Sequence, residues 1–88
     1  MRARTLPSFW KAYETLDERL KRQARKSYFL WRENPFYPSL QFKCINAEAN
    51  IWSVRVTQAY RALGTLDGDT ITWFWIGNHD EYRRYYGR

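Results

Sequence analysis

The side chains of this sequence that could do chemistry lie near the ends of apolar segments between residues 43 and 83. They are Lys43, Arg55, Arg61, His79, Tyr82 and Arg83. The group has no pair of carboxylates and no serine or cysteine beside a base, and the chain has no glycine-rich phosphate loop. One cysteine and one histidine are too few for a zinc site. These observations argue against most hydrolytic mechanisms.

The same group suits metal-free cleavage of RNA, without a cofactor. The RNA supplies its own nucleophile, the 2′-hydroxyl group, so the protein needs only to align the backbone, stabilise negative charge and transfer protons. Guanidinium groups of this set could stabilise the charge, and a histidine, tyrosine or lysine could transfer the protons. The alternative is that the histidine is incidental and that the arginines belong to an ordinary basic surface.

The chain is strongly basic, and its net charge comes from the first half. The formal net charge is +6, and residues 1–44 hold 10 Lys and Arg against 4 Asp and Glu. Such a balance favours a polyanionic partner such as RNA or the ribosome. The expected RNA-binding residues are Arg19, Arg22, Arg25, Lys26, Lys43 and Arg83. The first four share a helical face whose like charges repel, although a charged face can also be merely solvated.

Hydrophobic periodicity predicts two helices followed by strands. Apolar residues recur at helical spacing in residues 9–16 and 17–32, with Ser8 and a capping box at 15–18 as starts and Asn34-Pro35 as the stop. The period then changes to two, which predicts strands at 40–45, 51–57, 60–66 and 70–76. Residues 1–7 are predicted to be a basic arm. Residues 79–86 are predicted to be a short helix or an irregular tail.

These elements predict an α+β fold in which two N-terminal helices pack on one face of a roughly four-stranded antiparallel sheet. Trp52 and Val54 should face the helices, whereas Arg55 and Arg61 should share the opposite face, left open and concave. Residues 71–76 are all β-branched or aromatic, so either the odd-numbered or the even-numbered side chains of this strand could face the helices.

Length and cysteine usage predict one domain, residues 1–88, in a reducing compartment. A single cysteine excludes an intramolecular disulfide. No apolar run approaches the roughly 20 residues of a membrane span, and the first residues lack the apolar core of a signal peptide. We expect a cytoplasmic protein.

Two segments resemble the RelE/ParE superfamily of bacterial toxins from type II toxin–antitoxin pairs. They are Trp52-Ser-Val-Arg-Val-Thr-Gln-Ala-Tyr-Arg-Ala62 and Trp75-Ile-Gly-Asn-His-Asp-Glu-Tyr82. Upstream, Asn34-Pro35 and Ser39-Leu-Gln-Phe-Lys43 resemble the segment that leads into the first main strand of that family. The resemblance extends over nearly the whole chain in the order of its elements. Within the superfamily, the sequence resembles a RelE-like toxin.

The resemblance implies an mRNA interferase that cuts mRNA in the ribosomal A site and is silenced by a cognate antitoxin protein. Arg61 matches the arginine that contacts the scissile phosphate, and Arg55 occupies a basic position on the preceding strand. Tyr82 matches a tyrosine that stacks on a base or assists proton transfer, and His79 resembles a histidine that some branches use as acid or base. Ser53 departs from the pattern, since the best-known branch has a lysine there.

Two other functions remain open. The superfamily includes ParE-like members that inhibit DNA gyrase and cut nothing, so the fold does not decide whether the chain is an enzyme. The basic helix and exposed rings would also suit a non-catalytic RNA-binding or ribosome-binding module. His79 together with Tyr82 favours the nuclease, because a gyrase inhibitor does not need an acid–base pair.

Overall fold

The computed structural model describes residues 1–86 as two helices packed on a five-stranded sheet, followed by a short C-terminal helix. The helices are α1 (Pro7–Glu14), α2 (Glu18–Glu33) and α3 (His79–Tyr82), and the strands are β1 (Arg2–Thr5), β2 (Lys43–Asn46), β3 (Ile51–Arg55), β4 (Tyr60–Asp67) and β5 (Thr70–Asn78). Single 3₁₀ turns span Pro38–Leu40 and Arg83–Tyr85. The α+β class is confirmed. Residues 87 and 88 of the predicted domain lie outside the described range.

The sheet has one strand more than predicted, and it is mixed rather than purely antiparallel. Its order is β1-β5-β4-β3-β2, and β1 pairs parallel with β5 from Arg2 opposite Thr70 to Thr5 opposite Trp73. The prediction of a basic arm was therefore wrong. In a four-residue strand only Ala3 is half-buried against the core, so the apolar alternation is too short to detect.

Two predicted helix caps differ in the structure. The side chain of Asp17, not of Thr15, caps α2 by accepting a hydrogen bond from the Leu20 amide at 2.9 Å. Ser8 lies inside α1, where its hydroxyl donates to the carbonyl of Phe74 at 2.7 Å. This bond joins α1 to the middle of β5.

Helices α1 and α2 cover one face of the sheet and bury the main core there. Trp31 of α2 is fully buried, and its ring centroid lies 5.8 Å from that of Phe42 and 5.4 Å from that of Trp73. Val54 faces this core as predicted. Trp52 also faces it but is only half-buried at its rim, so the central tryptophans are Trp31 and Trp73.

A bulge in β5 reverses the parity of its side chains. Leu63 pairs with Trp75, but the next residue of β4 pairs with Trp73, which leaves Phe74 as an extra residue. Before the bulge Ile71 and Trp73 face the helices, and after it Ile76 does. Neither parity predicted from the sequence holds along the whole strand.

The second face of the sheet is not left open along its whole length. A smaller core forms there from the C-terminal segment and the sheet, and its buried members are Ile45, Ile51, Leu63 and Tyr82. The Asn46 amide donates to the Tyr85 carbonyl at 3.2 Å and fastens the segment to β2. The prediction of a wholly open face was therefore wrong, and the exposed part is the end beside Arg55 and Arg61.

Within residues 1–86, no helix combines the length and the apolar composition needed to cross a membrane.

Candidate nucleic-acid interface

The site begins with two arginines held opposite each other on neighbouring strands. The register of β3 and β4 pairs Arg55 with Arg61, and their neighbours Val54 and Ala62 face the helices, so both arginines lie on the other face. The predicted shared face is thus confirmed. Like charges placed opposite each other destabilise a sheet. Among residues 1–86, no carboxylate forms an ion pair with either arginine. The pair is suited to binding an anion.

Backbone carbonyls of the β3–β4 connection hold the Arg61 guanidinium in place. Its Nη1 donates to the Thr57 carbonyl at 2.7 Å and to the Tyr60 carbonyl at 3.2 Å, while Nη2 lies 3.5 Å from Oε1 of Gln41. A guanidinium carries five N–H groups, so these contacts orient it and leave donors for a phosphate.

His79 lies at the same end of the sheet as the arginines. Its backbone amide donates to the Ala59 carbonyl at 2.6 Å, and Gly77, two residues earlier, pairs with Arg61. The imidazole is exposed and meets the ring of Tyr82 edge-on, with centroids 4.8 Å apart. The exit of β5 therefore presents an accessible imidazole at the same end of the sheet as the arginine pair.

Tyr82 is placed differently from the prediction. Its side chain is only 2% exposed, and its hydroxyl hydrogen-bonds the Tyr86 hydroxyl at 2.9 Å. Burial raises the pKa of the Tyr82 phenol, as do the hydrogen bond and charge of Tyr86, and the Arg61 guanidinium beside it acts in the opposite direction. A ring buried to this extent has little surface left for stacking on a base. Its position suits support of the His79 ring.

The raised pKa of Tyr82 makes stability depend on alkaline pH. Because folding favours the neutral phenol, its contribution is fully present below the ordinary tyrosine pKa and is lost as pH rises through the higher folded value. We expect the unfolding free energy of Tyr82→Phe to fall less steeply above about pH 10 than that of the wild type. Urea unfolding between pH 8 and 11 measures this, with Tyr37→Phe, an exposed tyrosine, as the control. Identical slopes for all three proteins would contradict the burial effect.

Lys43 joins the arginine face, and Arg83 lies on the C-terminal segment. Lys43 is exposed on the edge strand and pairs with the buried Ser53, two residues before Arg55. That offset is about 7 Å along a strand. Arg83 is exposed in the 3₁₀ turn after α3. Lys43 therefore lies on the same face of the sheet as the arginine pair.

The basic residues of α2 do not join the arginine face. Arg19, Arg22, Arg25 and Lys26 are exposed on the helical layer, on the opposite side of the sheet. Lys21, beside them, is neutralised in part by Glu14 at 3.5 Å and Glu18 at 3.9 Å. Arg25 donates to the hydroxyl of Tyr13 at 2.8 Å. The chain thus has two separate basic surfaces.

An apolar groove lies between α1, α2 and β1, a feature the sequence reading missed. Its volume is about 610 Å³, and its lining includes Trp10, Tyr28 and Phe29, whose side chains are 48%, 41% and 68% exposed. Arg4 and Arg25 also line it. Phe29 lies off the helical stripe that packs on the sheet, and this was the available signal.

A second cavity has a lining of mixed charge, which does not indicate one kind of ligand. It has a volume of about 510 Å³, lies between α1 and the end of β5, and has Lys11, Asp17 and Glu81 in its lining. In the described part of the chain, no three His, Cys, Asp or Glu side chains come close enough together to bind a metal ion.

Comparison with known proteins points to one family and one fold. The family model of the ParE-like toxin domain matches residues 18–84. A comparison with curated protein sequences finds no significant match.

Three solved structures illustrate the shared fold. A YoeB/ParE toxin from Agrobacterium tumefaciens is 20% identical, with 90% of this chain and 99% of that chain covered and a TM-score of 0.69. YafQ from E. coli BL21(DE3) is 11% identical, with 94% and 99% covered and a TM-score of 0.75. A RelB–RelE antitoxin–toxin complex from Methanococcus jannaschii is 16% identical, with 93% and 96% covered and a TM-score of 0.73. At these identities the similarity establishes the fold alone.

Proposed function

Because the chain belongs to the ParE-like toxin family, a family of toxin–antitoxin systems, we propose that it inhibits translation by cutting mRNA bound to the ribosome. The observation that carries this proposal is the pair of arginines, Arg55 and Arg61, facing each other without a carboxylate partner among residues 1–86. A pair of guanidinium groups on a rigid sheet is suited to the extra negative charge of a phosphorane-like transition state.

The reaction is an intramolecular transesterification at one phosphodiester of the RNA. The 2′-hydroxyl oxygen attacks the adjacent phosphorus, the bond from phosphorus to the 5′-oxygen breaks, and a 2′,3′-cyclic phosphate and a 5′-hydroxyl result. Arg55 and Arg61 would bind the non-bridging oxygens. His79, whose side chain is exposed at the end of β5, would take the proton from the 2′-hydroxyl, and solvent would protonate the leaving oxygen.

Purified protein added to ribosomes programmed with a defined mRNA distinguishes the candidate functions. Cleavage of the mRNA at the A site, lost in His79→Ala, supports the nuclease. Intact mRNA with arrested turnover of DNA gyrase in a parallel supercoiling assay would support gyrase inhibition instead. Intact mRNA with the protein retained on the ribosome would support a non-catalytic binding module.

We propose that the groove between α1, α2 and β1 is the binding site of the cognate antitoxin. Exposed aromatic side chains around an apolar cavity suit the apolar face of a helical or extended segment. Arg4 and Arg25 at the groove, with Arg22 and Lys26 nearby on α2, favour acidic residues on the segment's other face. A segment seated there lies on the opposite side of the sheet from Arg55.

Truncating the most exposed ring of the groove should weaken antitoxin binding. Phe29→Ala removes a side chain that is 68% exposed, and we expect its affinity for the cognate antitoxin to fall about tenfold or more, as for an interface anchor. Isothermal titration calorimetry measures the change. Phe36→Ala, which removes a ring 61% exposed but outside the groove, is the matched control and should bind like the wild type. Equal affinities of both variants would place the antitoxin elsewhere.

A further inference from the structure

Gln41 adopts a backbone conformation that its residue type disfavours. Its φ and ψ angles are 45° and 44°, in the left-handed region, where a residue with a Cβ is strained and where glycine, asparagine and aspartate are usual. It follows the 3₁₀ turn Pro38–Leu40 and lies between two buried anchors, Leu40 and Phe42. The chain therefore maintains strain at an exposed residue.

The other left-handed residue that is not glycine has a structural explanation. Asn50, with φ of 54°, lies in the turn before β3, and its side chain bonds the Leu66 carbonyl and, at 3.0 Å, the indole N–H of Trp52. Asparagine also tolerates this conformation well. Gln41 ends the 3₁₀ turn, and its backbone N–H donates to the Pro38 carbonyl at 3.2 Å, a bond that any residue type could make there. What is particular to its side chain, within residues 1–86, is the contact of its amide oxygen with Arg61 at 3.5 Å.

That contact completes the support of the Arg61 guanidinium. Two backbone carbonyls hold Nη1, and the Gln41 amide oxygen approaches Nη2 at 3.5 Å from a different element of the fold. Because the amide is neutral, it orients the guanidinium without cancelling the charge that a phosphate needs. A carboxylate in its place would form an ion pair and compete with the phosphate.

We propose that Gln41 is a positioning residue that holds Arg61 in the orientation required for phosphate binding. The left-handed backbone turns the amide towards Arg61 while Leu40 and Phe42 both stay buried. Strained conformations are retained where the surrounding structure determines them and are concentrated at functional sites. This inference rests on the proposed function, in which Arg61 binds the scissile phosphate.

Gln41→Gly separates positioning from structural support. Glycine adopts the left-handed conformation without strain, so we expect the melting temperature to equal or exceed that of the wild type. The loss of the amide should lower kcat for mRNA cleavage on programmed ribosomes about tenfold, with a smaller change in KM, as expected when an oriented transition-state contact is lost. Gln41→Glu should lower kcat further, because its carboxylate pairs with Arg61.

Asn50→Gly is the matched control. It removes a left-handed residue with structural hydrogen bonds, so its melting temperature should fall while kcat stays at the wild-type value. A wild-type kcat in Gln41→Gly, or parallel losses of kcat and melting temperature in that variant, would overturn the positioning role. If Arg61→Ala is inactive but Gln41→Gly is fully active, the positioning role alone fails. If Arg61→Ala cleaves like the wild type, the proposed function fails and the positioning role fails with it.

Discussion

We expect Arg61→Ala to lower the rate of mRNA cleavage on programmed ribosomes by about 10²–10³-fold, the usual cost of removing one preorganised group that stabilises transition-state charge. Arg61 is half-buried near the start of β4, and its hydrogen bonds to Thr57 and Tyr60 are to partly buried backbone carbonyls. The loss of stability should therefore stay near 1 kcal/mol. Single-turnover kinetics and urea unfolding measure the two quantities separately.

Arg2→Ala is the matched control for charge. It removes an exposed arginine from β1, at the far edge of the sheet, so its cleavage rate should remain that of the wild type. An equal loss of rate in both variants would mean that net charge, and not the position of Arg61, determines activity. Full activity of Arg61→Ala would contradict the phosphate-binding role directly.

The second large effect concerns stability. We expect Trp31→Ala to lower the free energy of unfolding by ~3–5 kcal/mol, the typical cost of removing a buried aromatic side chain from a packed core. Trp31 is fully buried and joins α2 to the sheet through edge-to-face contacts with Phe42 and Trp73. In a chain of 88 residues such a loss is a large share of the total stability. Urea unfolding followed by circular dichroism measures it.

Two further variants test why Trp31 matters. Within the described residues its indole N–H has no hydrogen-bond partner, so Trp31→Phe loses ring volume but no bond, and we expect a smaller cost than for alanine. Trp52→Ala, at the rim of the same core, should also cost less than Trp31→Ala because Trp52 is only half-buried. If Trp52→Ala proved the more destabilising variant, the burial order of the two tryptophans would be contradicted.

Periodicity was enough to predict the fold class but not two of its details. The long helical stripe of α2 and the alternation in β3 and β4 extend over enough residues to predict all three elements within one or two positions. Residues Arg2–Thr5 are too few for a pattern, and each of them pairs with a residue of β5 that lies 68 positions later in the sequence. The bulge at Phe74 defeats an alternation argument because it changes the parity within one strand.

The site was predictable where side-chain direction follows from strand parity. Arg55 and Arg61 share a face because the hairpin register pairs them. The burial of Tyr82 could not be predicted, because a four-residue helix after a strand can turn a ring inward or outward; here the ring joins the small core with Ile45, Ile51 and Leu63. Gln41 was missed because an isolated left-handed residue leaves no trace in hydrophobic patterning.

The cross-strand arginine pair also limits how much RNA the sheet can hold. Neighbouring strands lie about 5 Å apart, so two guanidinium groups from paired residues reach the oxygens of a single phosphodiester. When the protein neutralises one phosphate of a single-stranded RNA, less than about one counterion is released. The affinity of the arginine pair for free RNA should therefore depend little on salt concentration. Most of the affinity for an mRNA would then come from contacts with the ribosome that presents it.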